Sequence, residues 1–103
     1  MTYRVRLTAK ARRDLNNLLE WLTAQNAGET GLRWFLRLED SLESLSHMPQ
    51  RCGLAPETVR FPFEVRQLVY GRKPHFYRVL FAIEADTVRV LHIHHGRRLP
   101  VKG

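Results

Sequence analysis

Phe76-Tyr77-Arg78-Val79-Leu80-Phe81-Ala82-Ile83, the polar turn from Glu84 to Thr87, and Val88-Arg89-Val90-Leu91-His92-Ile93-His94-His95-Gly96-Arg97-Arg98 decide the fold. Two runs rich in β-branched and aromatic residues flank a short polar turn, which is the pattern of a β-hairpin. The second run leads into histidines and arginines for which a core strand has no use, so they are read as groups presented to something anionic. On the first arm Tyr77, Val79, Phe81 and Ile83 alternate with Phe76, Arg78, Leu80 and Ala82. The all-apolar side is predicted to face a helical layer, which places Arg78 on the open face, solvated or salt-bridged. On the second arm strict alternation groups His92 and His94 with Val88 and Val90, and sets His95 opposite with Leu91 and Ile93.

Working outward, Tyr3, Val5 and Leu7 alternate with Arg4 and Arg6, the period of a half-buried strand. Thr8 stands where a helix N-cap belongs, and Ala11, Leu15, Leu18, Leu19 and Leu22 line one helical face. Asn26-Ala27-Gly28 ends that helix. A second helix is predicted to open near Glu29 to Thr30, to bury Leu32, Phe35, Leu36, Leu42 and Leu45, and to stop before Pro49. The pair forms a helical hairpin with a short connection. From Pro49 to Pro62 the chain is irregular, broken by Gly53 and Pro56. Val65 to Tyr70 reads as a strand and Gly71 to Pro74 as a turn into the hairpin. The expected fold is α+β: an N-terminal strand, a helical hairpin, then a three-stranded antiparallel meander completing one sheet, with the helices on one face and the other face available to a partner.

The 103 residues suit one domain, 1–103, with a single modest core. Seventeen Lys and Arg against ten Asp and Glu leave a net charge of +7. Only Lys10, Lys73 and Lys102 are lysines, so arginine supplies the excess. Arginine pairs bidentately with phosphate and carboxylate, so the charge points to nucleic acid, a nucleotide or an acidic protein segment. Cys52 is the only cysteine, which excludes an intramolecular disulfide and agrees with a reducing cytosol. The alternating N-terminus is not a signal peptide, and no stretch approaches the ~20 apolar residues that span a bilayer. A cytoplasmic protein with no membrane partner is expected.

The helical hairpin after a short first strand, the strand Tyr77-Arg78-Val79-Leu80-Phe81 and the closing His92-Ile93-His94-His95-Gly96-Arg97-Arg98 resemble the RelE/ParE superfamily of toxins from bacterial type II toxin–antitoxin modules. The similarity covers nearly the whole chain, through short and degenerate motifs. It implies a compact basic toxin, paired with a cognate antitoxin whose C-terminal segment wraps it. Two mechanisms diverge within that superfamily. RelE-like members resemble metal-free ribonucleases acting on ribosome-bound mRNA, and ParE-like members resemble inhibitors of DNA gyrase.

Arg78 matches the arginine of the superfamily's central strand, and Arg98 the arginine after its last strand. The paired lysines that RelE-like nucleases carry upstream have no counterpart, since Val69 and Gly71 stand near those positions. Nor does a tyrosine follow Arg98. The resemblance therefore implies a ParE-like gyrase inhibitor, with a ribosome-dependent mRNA endoribonuclease as the alternative. Cleaving RNA at a 2′-hydroxyl needs an acid, a base and positive charge. In that alternative Arg78, His94, His95 and Arg98 are the candidate catalytic residues. The candidate binding residues are Arg66, Tyr77, Arg78, His95, Arg97 and Arg98.

Remaining features carry plainer readings. His92 and His94 are half of a metal site at most, even with Cys52 drawn in, so no metal and no cofactor is expected. Trp21 and Trp34 are read as core or helix-interface aromatics. Glu20, Glu39, Asp40 and Glu43 are read as a solvated helix face, and no glycine-rich phosphate loop is present.

Overall fold

A computed structural model describes residues 2–72 and 75–96. The elements run in the order β1 (Arg4–Leu7), α1 (Ala9–Ala24), α2 (Gly28–Glu43), three short 3₁₀ turns (Ser44–Ser46, Pro49–Arg51 and Pro56–Arg60), β2 (Arg66–Arg72), β3 (His75–Glu84) and β4 (Thr87–His95). The expected α+β architecture is present, and the sheet order is β1-β4-β3-β2. β2, β3 and β4 form the antiparallel meander. β1 joins it by pairing parallel to β4, Val5 against Val88 and Leu7 against Val90.

Thr8 caps α1 as its position implies: its backbone is extended and its hydroxyl accepts from the Ala11 N–H at 3.1 Å. Asn26 and Gly28 take positive φ at the hairpin connection, a conformation that asparagine and glycine tolerate best. The helices bury one face of the sheet. Ala11 and Leu18 of α1, with Phe35, Leu38 and Leu42 of α2, pack against Val79, Phe81, Val88, Val90 and Ile93.

On α2 the buried stripe is Gly31, Phe35, Leu38 and Leu42, continued by Leu45 in the first 3₁₀ turn. Leu32 and Leu36, expected inside, are 52% and 50% exposed, and Leu38 takes their place. Leu32 and Leu36 form their own i, i+4 row beside that stripe. On α1 Leu19 likewise lies outside the core.

The face expected to be open is covered. Residues 53–65 cross it, and Ala55 and Val65 pack with Leu80 there, joined by Phe61 and Leu91. The hydroxyl of Thr58 accepts from the Val65 N–H at 2.9 Å, and Ala55 N–H donates to Val65 O at 2.8 Å. A stretch rich in Pro and Gly thus forms a strap rather than a free loop.

A β-bulge corrects the expected facing of β4. Leu80 pairs with His92 and Phe81 with Val90, so Leu91 is an extra residue with no partner on β3. Alternation resumes one residue out of step. Ile93 and His95 therefore share the helical face with Val88 and Val90, whereas His92 and His94 lie on the strap side, His94 directly across from Arg78.

Candidate functional site

Among the described residues no strand pairs with β4 on the β1 side beyond Val90, because β1 ends at Leu7 and the chain turns into α1. α1 seals part of this margin through Asp14. One carboxylate oxygen accepts from the Ile93 N–H at 3.0 Å and lies 3.1 Å from His92 Nδ1, and the other oxygen is paired with Lys10. Farther along, the two helices and the sheet line a cleft of about 1110 Å³. Its walls are mainly apolar and aromatic, with Leu18 and Trp21 from α1, Trp34 from α2, Tyr77 from β3, and Ile93 and His95 from β4, and polar side chains such as Asn17, Gln25 and Thr30 among them. Trp34 meets Tyr77 edge-on at 5.5 Å, and Tyr77 meets His95 edge-on at 5.2 Å, so the floor is a chain of crossed rings. Trp34 is further fixed by Tyr70, whose hydroxyl donates to its carbonyl oxygen at 2.7 Å.

Trp21 is 53% exposed at the rim. It belongs to the cleft and not to the core, which corrects its expected role. A half-exposed tryptophan beside crossed aromatic rings is suited to gripping an apolar side chain from a partner.

The other cluster lies under the strap. Arg78 reaches Glu57 by two parallel hydrogen bonds, at 2.9 and 2.6 Å, and its Nε donates to Gln67 Oε1 at 2.8 Å. Glu57 is fully buried and Arg78 nearly so. The expectation of a solvated arginine on an open face is therefore overturned: the strap covers that face and Glu57 occupies the guanidinium fork. His94 is buried beside this pair, and neither ring nitrogen has a hydrogen-bond partner among the described residues. Burial, then the charges of Arg78 and His92, push its pKa below the ordinary value of 6.5, against an upward pull from Glu57. His94 is held as a neutral imidazole.

Arg66 is likewise engaged. Its guanidinium donates to Cys52 O at 2.7 Å and to Gln50 O at 3.4 Å and lies 3.6 Å from Glu64, which ties the strap's start to β2. Burial pushes the Cys52 thiol up, which keeps it protonated and a poor nucleophile or metal ligand. Among the described residues no group of three or more His, Cys, Asp or Glu is arranged to hold a metal ion. No described helix is long and apolar enough to cross a membrane.

Residues 5–100 match the family model for the ParE toxin of the type II toxin–antitoxin system parDE. The chain belongs to the ParE toxin family. Among solved structures it is similar to a chain of the chromosomal ParDE toxin–antitoxin system of P. aeruginosa, at a TM-score of 0.72 and 19% identity over 91% of this chain and 96% of that one. It is also similar to a chain of the RelBE2 toxin–antitoxin complex of Mycobacterium tuberculosis, at a TM-score of 0.53 and 28% identity over 92% of this chain and 99% of that one. No curated protein matches the chain in sequence.

Of the residues singled out from sequence, Tyr77 and His95 come together in the cleft with Trp21 and Trp34. Arg78 and His94 come together under the strap, on the opposite face of the sheet. Arg66 is bound to the strap's start, and Arg97 and Arg98 lie outside the described residues. Sequence reasoning missed Glu57 and Asp14. Glu57 had a signal: Leu80 and Ala82 share its partner's strand face and are apolar, which a solvated face does not need.

Proposed function

We propose that this ParE family member is a cytoplasmic toxin that inhibits DNA gyrase and is silenced by a cognate antitoxin seated in the aromatic cleft. The observation that favours gyrase inhibition over RNA cleavage is the condition of Arg78. A guanidinium already doubly bonded to a buried carboxylate and bonded again to Gln67 has its fork occupied, so it is not poised to meet a phosphorane. His94 is buried next to it, so the pair lacks the open access that an RNA strand requires. The missing lysine pair of the nuclease pattern agrees with this. The antitoxin reading draws on the two similar structures, both described as toxin–antitoxin systems, and on a cleft walled by apolar rings with a half-exposed tryptophan at its rim.

Purified protein is expected to block supercoiling by gyrase, or to trap cleaved DNA, while ribosome-bound mRNA stays intact. Site-specific mRNA cuts with unimpaired supercoiling would reverse the assignment to the ribosome-dependent endoribonuclease. Co-expression with the product of an adjacent small gene is expected to give a stable complex and restored growth.

A further inference from the structure

Residues 4–13 carry Arg4, Arg6, Lys10, Arg12 and Arg13 with no acidic residue among them, and all five are exposed. α2 is the reverse, with Glu29, Glu39, Asp40 and Glu43 against Arg33 and Arg37. The start of the chain is therefore a block of unbroken positive charge within a net charge of +7. There the fold aligns it. Val5 and Leu7 turn toward the core, so Arg4 and Arg6 point away from the helices together. The parallel register sets Arg6 directly opposite Arg89.

This arrangement works against the chain's own stability. Like charges directly opposite on neighbouring strands repel. Cations at the N-terminal turn of α1, which contains no acid, face the positive end of the helix dipole. Intramolecular relief is slight: Arg89 pairs with Glu84 at 2.8 Å and Lys10 with Asp14, but Arg4, Arg6, Arg12 and Arg13 have no ion pair among the described residues. Concentrated repulsion without internal compensation is relieved by an external polyanion.

We infer that the β1 margin, with Arg4, Arg6 and Arg89 on one sheet face, binds the phosphate backbone of duplex DNA without regard to sequence. Arginine rather than lysine favours phosphate, through its planar fork. β1 and the first turn of α1 offer no exposed aromatic ring on which a base would stack, which leaves the backbone as the recognised feature. The surface is separate from the aromatic cleft, and the inference stands whether or not gyrase is the toxin's target.

The test is fluorescence anisotropy of the purified protein on a labelled duplex of arbitrary sequence. With three phosphate contacts, affinity is expected to fall about 40-fold between 50 and 200 mM salt. Arg4→Glu with Arg6→Glu is expected to weaken binding at least tenfold and to lower the salt slope by about two. Arg33→Glu with Arg37→Glu on α2 makes the same change in net charge and is expected to alter affinity less than twofold. Circular dichroism melts establish that both variants are folded. Equal weakening by the two pairs would reduce the effect to net charge and overturn the assignment, as would absence of binding to duplex at low salt. Poly-glutamate competing as well as unlabelled duplex at equal charge would overturn it in favour of an acidic protein partner.

Discussion

Glu57 and Arg78 lie on either side of a closed interface, a carboxylate on the strap and a guanidinium on the central strand, joined by hydrogen bonds of 2.9 and 2.6 Å. The pair fastens a segment without regular strands to the sheet at a point where Glu57 is fully buried and Arg78 nearly so. Removing Arg78 takes from a fully buried carboxylate the guanidinium that holds it by two hydrogen bonds. Arg78→Ala is therefore expected to destabilise the fold by about 3–5 kcal/mol, measured by urea denaturation. Glu57→Leu with Arg78→Met should recover most of that loss, because two apolar groups of similar volume leave no buried charge behind. A loss under about 0.5 kcal/mol for Arg78→Ala, the range of a surface substitution, would show that the pair is not closed in solution.

His94 makes stability depend on pH in a direction that can be worked out. Its folded pKa lies below the ordinary 6.5, so between those two values the unfolded chain binds a proton that the folded chain refuses. Stability contributed by neutral His94 is complete above about pH 6.5 and is lost as the pH falls toward the folded value. Urea midpoints at pH 7.5 and 5.5 should therefore differ in the wild type and converge in His94→Leu. An unchanged difference would show that His94 is not the source of the pH dependence.

Asp14 substitutes for a missing strand at the upper margin of β4. Asp14→Ala removes the acceptor for the Ile93 N–H and the partner of His92, at an expected cost of about 1–3 kcal/mol. Hydrogen exchange at the Ile93 amide should accelerate more than at Val79 or Phe81. Uniform acceleration across the sheet would instead signal global destabilisation.

Trp21 separates binding from folding. At 53% exposure its truncation should change stability by no more than about 0.5 kcal/mol. If it anchors the antitoxin, Trp21→Ala should weaken that complex by about 2 kcal/mol or more, roughly thirtyfold in Kd. Isothermal titration of wild type and variant against the cognate antitoxin decides this, and unchanged affinity would place the antitoxin elsewhere.

The elements were legible because their signals are local. Thr8 before an apolar-periodic run, and the alternation of Tyr77 to Ile83, need no knowledge of distant residues. The covering of the Arg78 face was not legible, because residues 53–65 hold their shape through long-range contacts of Ala55, Val65 and Glu57 rather than through a period. The histidine facing was missed for a different reason. A bulge is invisible to alternation, and the single extra residue Leu91 moved His92, His94 and His95 each to the opposite side. The cleft itself was half legible: Tyr77 and His95 were singled out, whereas Trp21 was assigned inward because an aromatic on an amphipathic helix is usually core.

The parallel pairing of β1 with β4 also sets when the molecule can form during its synthesis. The first strand has its sheet neighbour more than eighty residues downstream, with Val5 waiting for Val88, so closing the sheet requires a long loop and comes late. A nascent chain can make the helical hairpin early, but it lacks the floor of the cleft until Ile93 and His95 have left the ribosome. An incompletely translated copy therefore has no cleft and no closed sheet.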